Sequence, residues 1–196
     1  MSRRLLQLLR SDQRGNTVIE FAIVAPVMLM LMMGLGDLLH QAYAQSVLSG
    51  AIEKAARDSA IQGGANQTTQ LDAGVLAVVG KVVKNYTYVS TRKSYASFSL
   101  VKAEKFTDTN NNGVRDAKEC FDDVNANGIW DADPGKTGQG GANDVALYSM
   151  SITYTRIFPV ARLLGFSATQ TIAAQTLLKN QPYATQAVPT IPSVCT

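Results

Sequence analysis

From Phe21 to Gly36 the chain reads FAIVAPVMLMLMMGLG without a single charge. Continued through Asp37 to Tyr43, the stretch reaches the roughly 20 residues that a helix needs to cross a hydrocarbon core. Its flanks set an expected direction. Arg3, Arg4, Arg10 and Arg14 precede it, and only Asp37 and His40 follow closely, so the positive-inside rule keeps the N-terminus cytoplasmic and sends the remainder out. A cleaved secretory signal is the rival reading, with Ala42-Tyr43-Ala44 as its weak cleavage candidate. The apolar stretch is longer than the usual signal core.

The formal charge of +3 invites a nucleic-acid partner, but those four arginines against Asp12 place the whole excess before residue 15. From Asn16 onward the chain is formally neutral, and phosphate binding needs a clustered basic face. No nucleic-acid partner is expected. Length allows one modest domain with accessory segments. His40 is the only histidine and lies at the expected membrane edge, so no Ser-His-Asp or Cys-His constellation is legible and no enzyme is expected. Gly138 to Gly141 lacks the lysine-serine ending of a phosphate cradle and reads as a loop.

Glu20 sits at the start of the apolar stretch, where a carboxylate costs a few kcal/mol unless it reaches water or a partner. One reading is a simple water boundary. The other depends on spacing: a cut after Gly15 would make Asn16 a free amine and Glu20 the fifth residue. That amine and a neighbouring subunit's carboxylate could then neutralise one another inside the membrane.

Arg14-Gly15 followed by Asn16-Thr17-Val18-Ile19-Glu20-Phe21 resembles the leader-peptidase site of type IV pilin-like proteins. The longer string GNTVIEFAIVAPVMLMLMMGLGD resembles the TadE-like family of the tight-adherence pilus machinery. The resemblance implies that a membrane prepilin peptidase removes residues 1–15 after Gly15, that Asn16 becomes the N-terminus, and that Glu20 serves processing and subunit alignment. The implied partners are that peptidase, other pilins or pseudopilins of the same pilus, and an inner-membrane assembly platform. The implied location is the bacterial cytoplasmic membrane, single-pass, with an extracytoplasmic head. The implied role is a pseudopilin or minor pilin in surface attachment. The alternative is a permanently signal-anchored envelope binding protein with a calcium-stabilised exported head.

Pro26 lies inside the apolar segment and removes a backbone donor, so a kink or local unwinding is expected there. Met28, Met30, Met32 and Met33 read as adaptable packing. The helix should continue on Ala42, Val47, Leu48, Ala51, Ile52, Ala55 and Ala56, ending at Gly63-Gly64. The resulting plan is a helix over 16–63 with its membrane segment at about 21–42, a head over 64–180, and a Pro-containing tail over 181–196. A second helix is expected over 69–85, with a strand able to intrude at its valine-rich end. Strands are expected over 95–105, 145–158 and 169–178. In the second, Tyr148, Met150, Ile152 and Tyr154 share one face. Helices followed by a small antiparallel sheet make an α+β fold.

Nine of the fifteen acidic residues fall between Glu104 and Asp144. Within the loop 106–144, Asp108, Asn110, Asn112, Gly113, Asp116 and Glu119 fit the EF-hand calcium loop: oxygens at alternate positions, a glycine turn and a closing carboxylate. Arg115 departs from the pattern at an ordinarily apolar position, and no helix pair flanks the loop. Fifteen residues later the core recurs as Asp123, Asn125, Asn127, Gly128 and Asp131. Pro134 occupies its closing position, leaving Asp133 and Asp122 as the nearest substitutes. A structural calcium ion is one reading, and a pair of solvated Asn-Gly turns is the other. Cys120 and Cys195 are too few for a disulfide scaffold, but can form one bridge in an oxidising compartment.

Overall fold

The computed structural model describes residues 16–61, 67–184, 186 and 190–195. Residues 1–15, with Gly15 among them, and the expected stop at Gly63-Gly64 lie outside the described residues. Helix α1 spans Asn16–Ser59 and α2 spans Thr68–Val79. Strand β1 (Thr87–Tyr95), β2 (Cys120–Asp122), β3 (Lys136–Thr137) and β4 (Val145–Thr155) follow. A single turn, α3 (Val160–Leu163), then leads to β5 (Thr169–Lys179) and β6 (Ser193–Cys195). The α+β class holds: a long apolar N-terminal helix precedes a small domain with an antiparallel sheet.

The chain divides into two compact units. One comprises the residues through Ala42 with Arg156–Gln170, and the other comprises Tyr43–Thr155 with the residues from Thr171 onward.

In the second unit a four-stranded sheet runs in the order β3-β1-β4-β5. Strand β1 pairs antiparallel with β4 in a register that sets Thr87 against Thr153 and Tyr95 against Val145. The alternation of β4 decides which face is covered: Tyr148, Met150, Ile152 and Tyr154 are buried, while the intervening Ser149, Ser151 and Thr153 are half exposed. Against that face lie Ala44, Leu48, Ile52, Ala55 and Ala56 of α1, Val75 and Val79 of α2, Val83, and Ile172 of β5. The α1 residues recur at three- and four-residue steps, which aligns them on one stripe. Their alanines allow the helix to approach the sheet closely.

One ionic network is built into this core. Arg92 Nη2 donates to Asp72 Oδ1 at 2.6 Å, the Tyr148 hydroxyl donates to the same oxygen at 2.6 Å, and the guanidinium carbon stands 4.0 Å above the Tyr148 ring. Burial pushes the Asp72 carboxyl up, but hydrogen bonds from Arg92, Tyr148 and Ser90, with the charge of Arg92, outweigh it and hold the group below its usual 3.8. Those contacts join α2 to β1 and β4. The Gly138–Gly141 loop is fixed by amides: Gln139 Nε2 donates to Ser59 Oγ at 3.0 Å, and Asn180 Nδ2 donates to the Gly141 carbonyl at 2.8 Å. Gly140 has φ +73°, and a Cβ there would stand 2.7 Å from the Ser94 side chain, so no other residue fits.

Several boundaries differ from expectation. The second helix stops at Val79 instead of 85, because Gly80 and the β-branched Val82 and Val83 extend a helix poorly; Val83, just past the turn at Gly80–Val82, is still buried in the core. The strand expected at 95–105 lies earlier, at Thr87–Tyr95, and Phe98–Leu100 is a 3-10 turn. Pairing with β4 determined that position, since β1 itself has weak apolar alternation. Strand β4 ends at Thr155, three residues early, where Arg156 turns away. Strand β6 appears in the Pro-containing tail. Helix α1 continues through Pro26 without interruption, so the expected unwinding does not occur.

Candidate functional site

Two regions carry the expected chemistry. The first is α1. Thr17–Ser59 is long and apolar enough to cross a membrane, and Val18, Ile19, Phe21, Ile23, Val24, Val27, Leu29 and Leu31 all expose more than half of their surface. Apolar side chains presented all round a helix mark one that meets lipid or other helices rather than water. Glu20 lies exposed on this helix. Asn16 is helical, within α1. These features suggest membrane anchoring.

The second region is the paired loop. In its first half, Asp108 accepts the N–H groups of Asn112 at 3.2 Å and Gly113 at 2.8 Å. Asn110 Oδ1 accepts Asn112 N–H, and Asn112 Oδ1 accepts Val114 N–H. Both amide Nδ2 atoms donate to Asp116 Oδ2, at 2.7 and 2.8 Å. Glu119 closes the loop: its Oε1 accepts the backbone N–H and the hydroxyl of Thr109, and its Oε2 accepts Asp116 N–H at 2.9 Å. Those donors, Asp116 first and then Thr109, hold the Glu119 carboxyl below the usual carboxylate range.

The second half repeats this pattern, except that Val124 has no hydroxyl to match that of Thr109. Asp123 accepts Asn127 and Gly128 N–H at 3.1 and 2.8 Å. Asn125 and Asn127 each donate Nδ2 to Asp131 Oδ2 at 2.7 Å. Its closing carboxylate is neither Asp133 nor Asp122. Asp133 is held by Lys93 at 2.5 Å and by the Tyr95 hydroxyl at 2.6 Å, and Asp122 is exposed. The position is filled by Glu104, whose Oε1 accepts Val124 N–H at 2.7 Å and whose Oε2 accepts Asp131 N–H at 2.8 Å. Glu104 is only 2% exposed.

Glu104 completes a symmetry. Glu104, Phe106, Asp108, Asn110, Asn112, Gly113 and Asp116 recur, fifteen residues on, as Glu119, Phe121, Asp123, Asn125, Asn127, Gly128 and Asp131. Each repeat lends its glutamate to the other's loop. Phe106 and Phe121 form an antiparallel bridge at the centre, flanked by Thr107 N–H to the Cys120 carbonyl and Asp122 N–H to the Lys105 carbonyl, both 2.8 Å. The signal that would have found Glu104 is the Glu-x-Phe-x-Asp string opening each repeat. Arg115, the departure from the EF-hand pattern, lies 5.0 Å over the Phe121 ring and points Nη2 at the Glu119 carbonyl. Cys120 pairs with Cys195, S–S 2.03 Å, and joins β2 to β6 in register.

Chemically the halves offer carboxylate and amide oxygens, the donor set of a hard cation. Among the described residues no three His, Cys, Asp or Glu side chains converge as a ready cation cage. The asparagine nitrogens, directed at Asp116 and Asp131, fill the interior instead. Turning each amide about its terminal bond would bring oxygen there, at the cost of the bonds that Oδ1 accepts from Asn112 and Val114 N–H in one half and from Asn127 and Ile129 N–H in the other.

Comparison with known proteins locates one relationship. Residues 15–57 match the family described as TadE-like protein. The match covers α1 nearly to its end and none of the β-strands. No curated protein matches the chain, and no solved structure matches it.

Proposed function

We propose, taking residues 15–57 as a TadE-like N-terminus, that this chain is a minor pilin or pseudopilin of a tight-adherence pilus, cut after Gly15 by a prepilin peptidase. The observation that carries the reading is the family match over residues 15–57, which takes in a helix whose first half is exposed and apolar. In this role α1 serves twice, as membrane tether before assembly and as packing element afterwards. Glu20 would face the free amine of Asn16 on a neighbouring subunit, an ion pair that lipid would strengthen and that fixes axial register. The head would be extracytoplasmic, which agrees with the Cys120–Cys195 bridge. Its partners would be the peptidase, fellow pilins and the inner-membrane assembly platform. Replacing Glu20 with Ala should leave the chain membrane-inserted and halt its assembly; normal piliation by that variant would refute the alignment role.

For the paired loop we propose a structural calcium function. The support is the duplicated oxygen donor set: Asp108, Asn110, Asn112, Asp116 and Glu119 for one ion, and Asp123, Asn125, Asn127, Asp131 and Glu104 for the other. Calcium would stiffen a segment with almost no apolar core of its own. Adding calcium to the full chain in detergent should raise its unfolding temperature, and Asp108→Ala combined with Asp123→Ala should abolish that rise. An unaltered chain indifferent to calcium would defeat the proposal.

A further inference from the structure

Within the unit that contains the first half of α1, the connection from Arg156 to Ala168 packs on the apolar helix. It is a closed turn. Arg156 N–H donates to the Ala168 carbonyl at 3.0 Å and Phe166 N–H to the Ala161 carbonyl at 2.8 Å, while Arg156 Nε donates to the Ser167 carbonyl at 3.2 Å. Gly165, at φ +81°, turns the chain back. Two contacts hold this turn to the helix. Phe158 lies over Gly36 so closely that a Cβ there would come within 2.9 Å of its ring. Arg156 Nη1 donates to Asp37 Oδ2 at 2.5 Å, and Asp37 is only 8% exposed.

That ion pair fixes a depth. Asp37 lies sixteen residues beyond Phe21, about 24 Å along the axis at 1.5 Å per residue, within a hydrocarbon core of about 30 Å. A carboxylate at that level needs a partner, and Arg156 supplies it, so the turn that carries Arg156 stands at the same level. Its surface suits that place. Ile157, Leu163, Leu164 and Phe166 are 57 to 71% exposed, and Arg162 is exposed beside them. Water would penalise four such side chains on one short turn, whereas an acyl-chain boundary would accept them and a phosphate would accept Arg162. The apolar surface also continues onto Leu35, Leu38 and Leu39 of the helix, each about 60% exposed.

We infer that the Arg156–Ala168 turn is a second membrane contact, an interfacial finger pinned to the anchor helix by Asp37–Arg156. Ile157, Leu163, Leu164 and Phe166 enter the acyl-chain boundary, and Arg162 meets lipid phosphate. The inference rests on the membrane-anchor reading of α1. The finger would hold the anchor's outer end at a set height and rotation, and it would have to leave the bilayer when the subunit enters a fibre.

The test uses the full chain in vesicles of phosphatidylcholine and phosphatidylglycerol, with or without bromine in the upper acyl chain. Trp130 is the only native tryptophan, so the added emission of Phe166→Trp and, separately, of Leu38→Trp is read by difference. Both should be quenched by the brominated lipid, to within about twofold of each other if they share a depth. Adding Arg156→Gln to Phe166→Trp should weaken the quenching. Quenching at Leu38→Trp alone would overturn the finger and leave the anchor standing. Quenching at neither site would remove the anchor reading itself. Emission at Phe166→Trp that ignores bromine but shifts as the protein-to-lipid ratio rises would assign the patch to another copy of this chain, and so refute the lipid contact.

Discussion

Replacing Glu104 with Gln tests the reciprocal architecture of the loop at its least expected residue. The wild-type carboxylate accepts two backbone N–H groups, from Val124 at 2.7 Å and Asp131 at 2.8 Å. Glutamine keeps the size and one acceptor oxygen but turns its own NH2 toward the other backbone donor. A hydrogen bond to a charged group contributes about 1.5–3 kcal/mol net. With Glu104 buried, water has little room to take over. The expected cost is therefore about 2–3 kcal/mol, which for a head of this size corresponds to a fall of about 6–9 °C in Tm. The assay is thermal and urea unfolding of the full chain in detergent, followed by circular dichroism and by Trp130 emission. Trp130 Nε1 donates to the Glu104 carbonyl at 2.9 Å, so its fluorescence reports this corner directly. The control is Asp122→Asn, which should stay within about 0.5 kcal/mol of the parent as an exposed change does. If Glu104→Gln unfolds where the parent does, or if Asp122→Asn costs more, the assignment of Glu104 as the second closing carboxylate is wrong.

Asp72→Asn should destabilise the head by about 3–5 kcal/mol, because it leaves the Arg92 guanidinium paired with a neutral amide in the core; equilibrium urea denaturation checks this, and a loss under 1 kcal/mol would contradict it. The same residue gives a pH dependence. Its folded carboxyl is held below 3.8, so its contribution is complete above the unfolded value and disappears as pH falls through the lower folded value. The acid limb of the stability curve should therefore flatten below pH 4 in Asp72→Asn relative to the parent. Replacing Cys120 and Cys195 together with Ser opens a loop of sequence separation 75. The expected loss is about 2–4.5 kcal/mol by the chain-entropy relation, and an unchanged urea midpoint after replacement would argue against a stabilising bridge.

Legibility followed periodicity and repetition. Strand β4 was readable because Tyr148, Met150, Ile152 and Tyr154 alternate with Ser and Thr, and α1 was readable from its uncharged run and the small-residue stripe that follows. Strand β1 was not, since TYVSTRKSY has only weak apolar alternation and gains its place through pairing with β4. The partnership of Arg92 with Asp72 was hidden for a related reason: a charged residue on a strand looks solvent-facing until the tertiary fold brings a carboxylate to it. In the loop, the asparagines and glycines announced themselves at fifteen-residue spacing. Glu104 did not, because an EF-hand template looks for its closing carboxylate downstream, whereas here each repeat borrows from the other. The finger at 156–168 was invisible for want of any signal linking it to Asp37, more than a hundred residues earlier in the chain.

The central claim is that Gly15 is a processing junction and Asn16 the start of a pilin-like subunit. Intact-mass measurement with N-terminal sequencing of the chain recovered from membranes of a host carrying the prepilin peptidase tests it most directly. The expected product is a chain that begins at Asn16 and has lost residues 1–15, with the full-length form accumulating when the peptidase is inactivated. A chain that keeps Met1 or Ser2 in the presence of active peptidase would contradict it.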